Sequence, residues 1–197
     1  MARRNWNTQR EWKSRKGYQK KRSRSHRKEF VKGGADPKIT RFDIGNRKKP
    51  PEEWDVSLGL MIKKRRIKVS HFALEALRIK INRGMEKKAG RKNFYLKIRA
   101  HPHYMWREHS QLGFAGADRI SSGMRNAFGK PVGRCARMKP PDLVCELHVN
   151  EQHVPVALER LKIAGQKICT TTQLVLLRSK TPEIGRRVPV PKYSNFT

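Results

Sequence analysis

The sequence predicts an α+β core with basic extensions at both ends, and three observations predict it. Apolar and polar residues alternate in several short stretches, which is strand periodicity; other stretches carry an apolar stripe at helical spacing. Strands and helices mix without a regular βαβ repeat. At 197 residues and 36% hydrophobic, the chain can bury one ordinary core with segments left over.

The first segment, 1–35, reads as a basic arm. Residues 1–32 hold thirteen Lys and Arg against Glu11 and Glu29, with Trp6, Trp12 and Tyr18 interleaved. So charged a stretch buries too little apolar area to fold alone, and it is expected to order against a partner. Aromatics among cations suit stacking on splayed bases. A solvated tail is the plainer alternative.

The globular core is expected over 36–178. Trp54, Val56, Leu58, Leu60 and Ile62 alternate with Asp55, Ser57, Gly59 and Met61; the run Lys63-Lys64-Arg65-Arg66 interrupts this strand before Ile67 and Val69 resume it. A helix follows, with Ser70 as N-cap, Leu74, Leu77 and Ile81 on one stripe, and Gly84 placed to end it. Phe94, Leu96, Ile98 and Ala100 then form one face of a strand whose other face, Tyr95, Lys97, Arg99 and His101, is basic and aromatic. After a polar stretch over 107–116, Ile120, Met124 and Ala127 suggest a short helix ended by Gly129 and Pro131. Strands are expected over 132–138 and 143–149, the second with Leu143, Cys145, Leu147 and Val149 on one face. Val154, Leu158 and Leu161 mark another helix, closed by Gly165; Pro155 is tolerable only in its first turn, so it should start near His153. Residues 166–177 read as closing strands, and 179–197, with Pro182, Pro189 and Pro191, as an extended basic tail.

Charge narrows the function. There are 47 Lys and Arg against 16 Asp and Glu, a formal net charge of +31. A chain repelling itself this strongly calls for a polyanion, and nucleic acid is the natural one because each cation on a phosphate releases counterions. No apolar run approaches the roughly 20 residues of a membrane span, so no membrane partner is expected. The N-terminus has no secretory h-region; its Arg-rich start resembles a mitochondrial presequence only superficially, lacking an apolar face. Cys135, Cys145 and Cys169 are too few and too scattered for a disulfide framework, which suits a reducing compartment.

Catalytic and cofactor motifs fail when tested. Gly123 to Gly129-Lys130-Pro131 has one residue too many for a phosphate loop, and Pro131 stands where a magnesium-binding hydroxyl is required. There is no G-x-S-x-G elbow and no C-x-x-C half-site. His101 and His103, at i and i+2 near His109, point the same way if they lie on a strand. Their strongly cationic setting disfavours a divalent ion, and contact with RNA is the better reading. Asn195-Phe196-Thr197 fits a glycosylation sequon by chance. No enzyme activity, cofactor or metal is expected.

One segment is far more specific. His101-Pro102-His103, Arg107-Glu108, Ala115-Gly116-Ala117-Asp118-Arg119, Gly123-Met124-Arg125 and Ala127-Phe128-Gly129-Lys130-Pro131 occur in order and close together. Pro37 to Asn46 and Ala73-Leu74-Glu75-Ala76 agree with them. Together they resemble the universal large-subunit ribosomal protein sixteen family in its archaeal and eukaryotic branch, over about Arg27 to Ile168. The resemblance implies an α/β-hammerhead core, with a mixed or antiparallel sheet and two main helices, lodged in large-subunit rRNA near the 5S RNA. It also implies contact with the A-site tRNA elbow, a role in late subunit assembly, and a cytoplasmic chain among neighbouring ribosomal proteins, without homo-oligomers. An internal loop, here Arg107, Glu108, His109, Ser110, Gln111, Gly113 and Gly116, would point towards the peptidyl transferase centre and the P-site tRNA. Gly113 and Gly116 give that loop the freedom to thread between RNAs.

Two departures stand out. The family carries Asn-Lys where this chain has His109-Ser110, so one cation is missing from the loop, and its Cys-Tyr-Arg stretch near the N-terminus is replaced by the tryptophan-bearing arm. Within this frame the expected rRNA contacts are Arg3, Arg4, Arg10, Lys20, Lys21, Arg22, Arg27 and Lys28 of the arm. In the core they are Arg41, Arg99, His101, His103, Arg119, Arg125, Lys130, Arg134 and Arg137. Each alone is most simply a solvated charge; as a cluster they suit phosphates, which fix position rather than read bases. A general nucleic-acid-binding protein would explain the charge but not the specific central run. An RNA-modifying enzyme would need a catalytic constellation that is not found.

Overall fold

The computed structural model describes residues 36–108 and 130–180. In chain order they form β1 (Asp43–Gly45), β2 (Val56–Ile62), β3 (Ile67–Ser70), α1 (His71–Lys88), β4 (Phe94–Ile98), β5 (Tyr104–Glu108), β6 (Lys130–Met138), β7 (Leu143–Val149), a 3-10 turn (Glu151–His153), α2 (Val154–Gly165) and β8 (Thr172–Ser179). The fold is α+β. Five strands make one sheet in the order β1-β4-β7-β2-β8 and three make a second, β3-β6-β5. Every described pairing is antiparallel, so the alternative of a mixed sheet does not apply to these residues.

The large sheet owes its shape to alternation. Val56, Leu58 and Leu60 of β2 lie opposite Val149, Leu147 and Cys145 of β7, which in turn oppose Phe94, Leu96 and Ile98 of β4. These rows form one continuous apolar face and join a single core with Leu74, Leu77, Ile81 and Met85 of α1 and Ala157, Leu161 and Ala164 of α2. Each fully buried Leu or Ile contributes about 1.5–3 kcal/mol of transfer free energy. The expected polar face of β2 is not solvated, however, and all seven of its residues are buried. Ser57 lies under His148, and an added Cβ at Gly59 would come within 2.9 Å of both Leu143 and Val175.

Local signals set the helices. Ser70 Oγ accepts from the Ala73 amide at 3.2 Å, capping α1 as its sequence predicts. The helix does not stop at Gly84. It runs to Lys88, and Gly90, at φ +81°, receives the chain in a left-handed conformation, its amide donating to the Met85 and Glu86 carbonyls. Gly84 instead lies where α2 crosses, with the Arg160 side chain filling the space its Cβ would occupy. α2 begins at Val154 with Pro155 in the first turn and ends at Gly165, as expected.

Other expectations change. The Lys63–Arg66 run does not interrupt one strand; it is an exposed turn that carries the chain from β2 in the large sheet to β3 in the small one. Trp54, fully buried, precedes β2 rather than opening it. Residues 166–177 supply one strand, β8, and not several. Strands β1 and β5 carry no clear alternation and were not anticipated. The proposed short helix over 120–127 lies outside the described residues.

Two glycines allow a paired test. Gly45 has φ +96°, and a Cβ there would sit 2.2 Å from the Phe94 carbonyl oxygen, whereas Gly90 has only Asn93 Nδ2, at 4.0 Å. Gly45→Ala should cost roughly 3 kcal/mol or more, and Gly90→Ala about 1–2 kcal/mol of backbone strain, in urea unfolding. Equal losses would show that the close approach of β1 to β4 is not what requires glycine.

Candidate nucleic-acid interface

Where β4 leaves the large sheet, its last residues meet the end of β6. Arg99, Ala100, His101, Ala136, Arg137, Met138, Asp142, Leu143 and Glu146 line an open groove of about 480 Å³ between the two sheets. The groove brings together three of the expected contacts, Arg99, His101 and Arg137. Backbone bonds fix its near wall, since the Arg99 and Ala100 amides both donate to the Val144 carbonyl, at 2.9 and 3.2 Å.

The charges in the groove are layered. Glu146 is buried, and Arg99 donates to it twice, from Nε at 2.8 Å and Nη2 at 3.1 Å. The Arg99 side chain keeps 51% of its exposure while that of Glu146 keeps 8%. An approaching ligand therefore meets the guanidinium first, with the carboxylate beneath orienting it. Asp142 is occupied in its own turn, accepting from the Lys139 amide at 2.9 Å. His101 is exposed and its ring lies 4.4 Å from that of Phe42, next to exposed Arg41.

Behind Arg99 the polar side of the large sheet forms a chain of contacts. His148 Nδ1 and Ser57 Oγ are 2.7 Å apart, His148 Nε2 is 3.9 Å from Glu146, and the Tyr95 ring stacks on the imidazole at 5.5 Å. Tyr95 donates its hydroxyl to Asp43 at 2.9 Å; burial, with that carboxylate, pushes its pKa up to about 12, so it remains a donor. Burial lowers the His148 pKa, and the Lys97 and Arg99 charges lower it further against the opposing pull of Glu146. The expected basic face of this strand is thus partly an internal network, with Arg99 as its exposed end.

The small sheet carries the remaining described cations. Arg134 and Arg137 are three residues apart on a strand and so point to opposite faces, which corrects the single cationic track expected along β6. Arg137 shares its face with Lys68, directly opposite on β3, and its guanidinium lies 3.9 Å over the Tyr104 ring. Arg134 lies on the other face, 3.9 Å from Asp36. The Asp36 side chain is 96% exposed, so this pair adds little stability. Nearby His71, buried at the start of α1, accepts from the Lys38 amide at 2.8 Å. Burial lowers its pKa, as do the Lys38 and Arg134 charges.

His101 and His103 are not on a strand; they lie in the connection from β4 to β5, which removes the geometric reason for shared ligation. Lys63, Lys64, Arg65 and Arg66 are all exposed, and sequence reasoning noted the run without assigning it a role. Arg3, Arg4, Arg10, Lys20, Lys21, Arg22, Arg27, Lys28, His109, Ser110, Gln111, Gly113, Gly116, Arg119 and Arg125 lie outside the described residues, as do the side chains of Arg107, Glu108 and Lys130. β5 and β6 pair up to Glu108 opposite Lys130, so the 109–129 segment leaves from and returns to one end of a two-stranded ribbon.

A layered cationic groove on an α+β core, without a catalytic constellation among the described residues, defines a polyanion-binding scaffold. Comparison with known proteins agrees. The family described as Ribosomal protein L16p/L10e matches residues 15–175. Similar relatives named large ribosomal subunit protein uL16 come from Archaeoglobus fulgidus, 40% identical across 76% of this chain and 84% of the relative, and Thermoplasma acidophilum, 42% identical across 78% and 85%. Another, from Thermoplasma volcanium, is 43% identical across 78% and 85%. The chain belongs to the ribosomal protein L16p/L10e family, whose members are structural ribosomal proteins and not enzymes.

The two buried histidines give the fold a pH dependence. Both are neutral above their ordinary value of 6.5, folded or unfolded. As pH falls below 6.5 the unfolded chain binds protons that the folded one resists, so stability drops until the depressed folded pKa values are reached. The melting temperature should therefore fall between about pH 7 and about pH 5, and His148→Gln should flatten part of that slope. An unchanged slope in the variant would mean that His148 protonates in the folded chain as readily as in the unfolded one.

Proposed function

We propose that this chain is a structural component of the large ribosomal subunit in the cytoplasm, held on large-subunit rRNA and among neighbouring ribosomal proteins. Family membership carries this reading, and the groove of Arg99, His101 and Arg137 gives it a physical basis. Cations presented from a rigid sheet edge neutralise phosphates with little ordering cost and set the register of the protein on folded RNA. The arms 1–35 and 179–197 add sequence-independent attraction from either side of the 36–178 core. The site lies near the 5S RNA and the A-site tRNA elbow, and the chain supports late subunit assembly. The 107–116 loop, emerging from the β5–β6 ribbon, is directed towards the peptidyl transferase centre and the P-site tRNA.

Sedimentation of lysate through sucrose tests the reading: the chain should peak with large subunits and whole ribosomes. A peak on chromatin or at the top of the gradient would overturn it in favour of a general nucleic-acid-binding protein. Deleting 107–116 should leave the chain on the subunit but lower tRNA binding and peptide-bond formation. Loss of rRNA association on deletion would make the loop an anchor instead.

A further inference from the structure

The outward face of the small sheet carries an arrangement that the groove does not use. Across β3, β6 and β5, Lys68 lies directly opposite Arg137, and Arg137 reaches diagonally to Tyr104, which itself pairs with Cys135. The opposite face of the same strands supplies Ile67, Val69, Ala136 and Met138 to the core, so the row Lys68-Arg137-Tyr104 points away from it. Like charges directly opposed across strands are unfavourable unless an anion lies between them. Tyr104 is one of two exposed large hydrophobic residues among those described, at 38% exposure, and the Arg137 guanidinium is 3.9 Å from its ring centroid. His103 meets the Tyr104 ring edge-on at 5.5 Å and is itself exposed. Burial raises the Cys135 thiol pKa while the Lys68 and Arg137 charges oppose it, which places both cations over the same patch.

We propose that this row binds one unpaired nucleotide of RNA, with its base stacked on Tyr104 and its phosphate held between Lys68 and Arg137. This rests on the RNA-binding reading above and adds a nucleotide-sized contact to it. An exposed tyrosine offers a flat face that accepts any base, and a guanidinium against the same ring extends the platform and adds charge. The phosphate relieves the Lys68–Arg137 repulsion. The spacing matches one nucleotide unit: a ring on one strand and two cations on the strands beside it. The site would favour a splayed single-stranded nucleotide, since bases in a duplex do not expose their faces.

The test uses the full chain incorporated into large subunits, with chemical probing of rRNA base reactivity. Wild type and Tyr104→Phe should protect one unpaired base, and Tyr104→Ala should expose it several-fold. Tyr104→Ala should also weaken binding about tenfold in salt-wash release without changing the salt dependence. Lys68→Ala should reduce the slope of log affinity against log salt by roughly 0.7–0.9, the share of one phosphate. Melting curves unchanged from wild type establish that these surface variants fold. Unaltered base reactivity in Tyr104→Ala subunits that still contain the chain would overturn the stacking site and leave the ribosomal reading intact. A wild-type chain absent from the subunits would overturn that reading instead.

Discussion

A chain with 31 more positive than negative charges has to keep ionised groups out of its interior, and strand β7 is where that constraint is met. β7 is the middle strand of the large sheet, and its residues from Val144 to Val149 are all buried. Its Leu147 and Val149 look into the core, while Glu146 and His148 look the other way. A buried carboxylate without a partner would be very costly. Glu146 is instead held by two hydrogen bonds from Arg99, which reaches in from the end of β4. His148 stays neutral, bonded to Ser57 and stacked under Tyr95. The one buried acid is thus satisfied by a surface cation, and the same cation lines the groove. Core integrity and the candidate interface share a residue.

That sharing explains the division of the chain into two sheets. If β2 and β3 were one strand, Lys63 to Arg66 would have to enter a sheet buried on both sides. Turning the chain at those four exposed residues leaves them in water and starts a second, smaller sheet. The smaller sheet buries only one of its faces fully. Its outward side can therefore carry Lys68, Arg137 and Tyr104 at no cost to the core, and its far end continues into the 109–129 segment.

Much of this was legible in the sequence because the decisive signals are local. Alternation marked β2, β4 and β7; the Ser70 cap and the position of Pro155 set both helix starts. What was missed depends on contacts distant in sequence. Gly84 looks like a helix end, but it is the gap into which Arg160 packs, 76 positions later by simple subtraction. Gly90, the actual terminus, stands one turn beyond where the stripe suggests. β1 is three residues long and exists only because β4 offers an edge, and β5 exists only as the partner of β6. The groove was legible as a set of cations, yet its order was not. Nothing in Glu146 announces that it lies beneath Arg99, and neither Lys68 nor Tyr104 acquires meaning until register places both beside Arg137.

Parity along β6 carries the last consequence. Arg134 and Arg137 leave opposite faces of one strand, one beside Asp36 and His71, the other beside Lys68 and Tyr104. A polyanion lying along a single surface can engage only one of them. Contact with both requires RNA on two sides of a sheet that is three strands wide. Lys63 to Arg66 face solvent at the turn between the sheets, and Arg41 faces it beside the groove. Charge spread around an edge in this way is poorly suited to docking on a flat duplex, where the cations would gather on one side. It suits a protein enclosed by folded RNA, which meets phosphates from several directions at once.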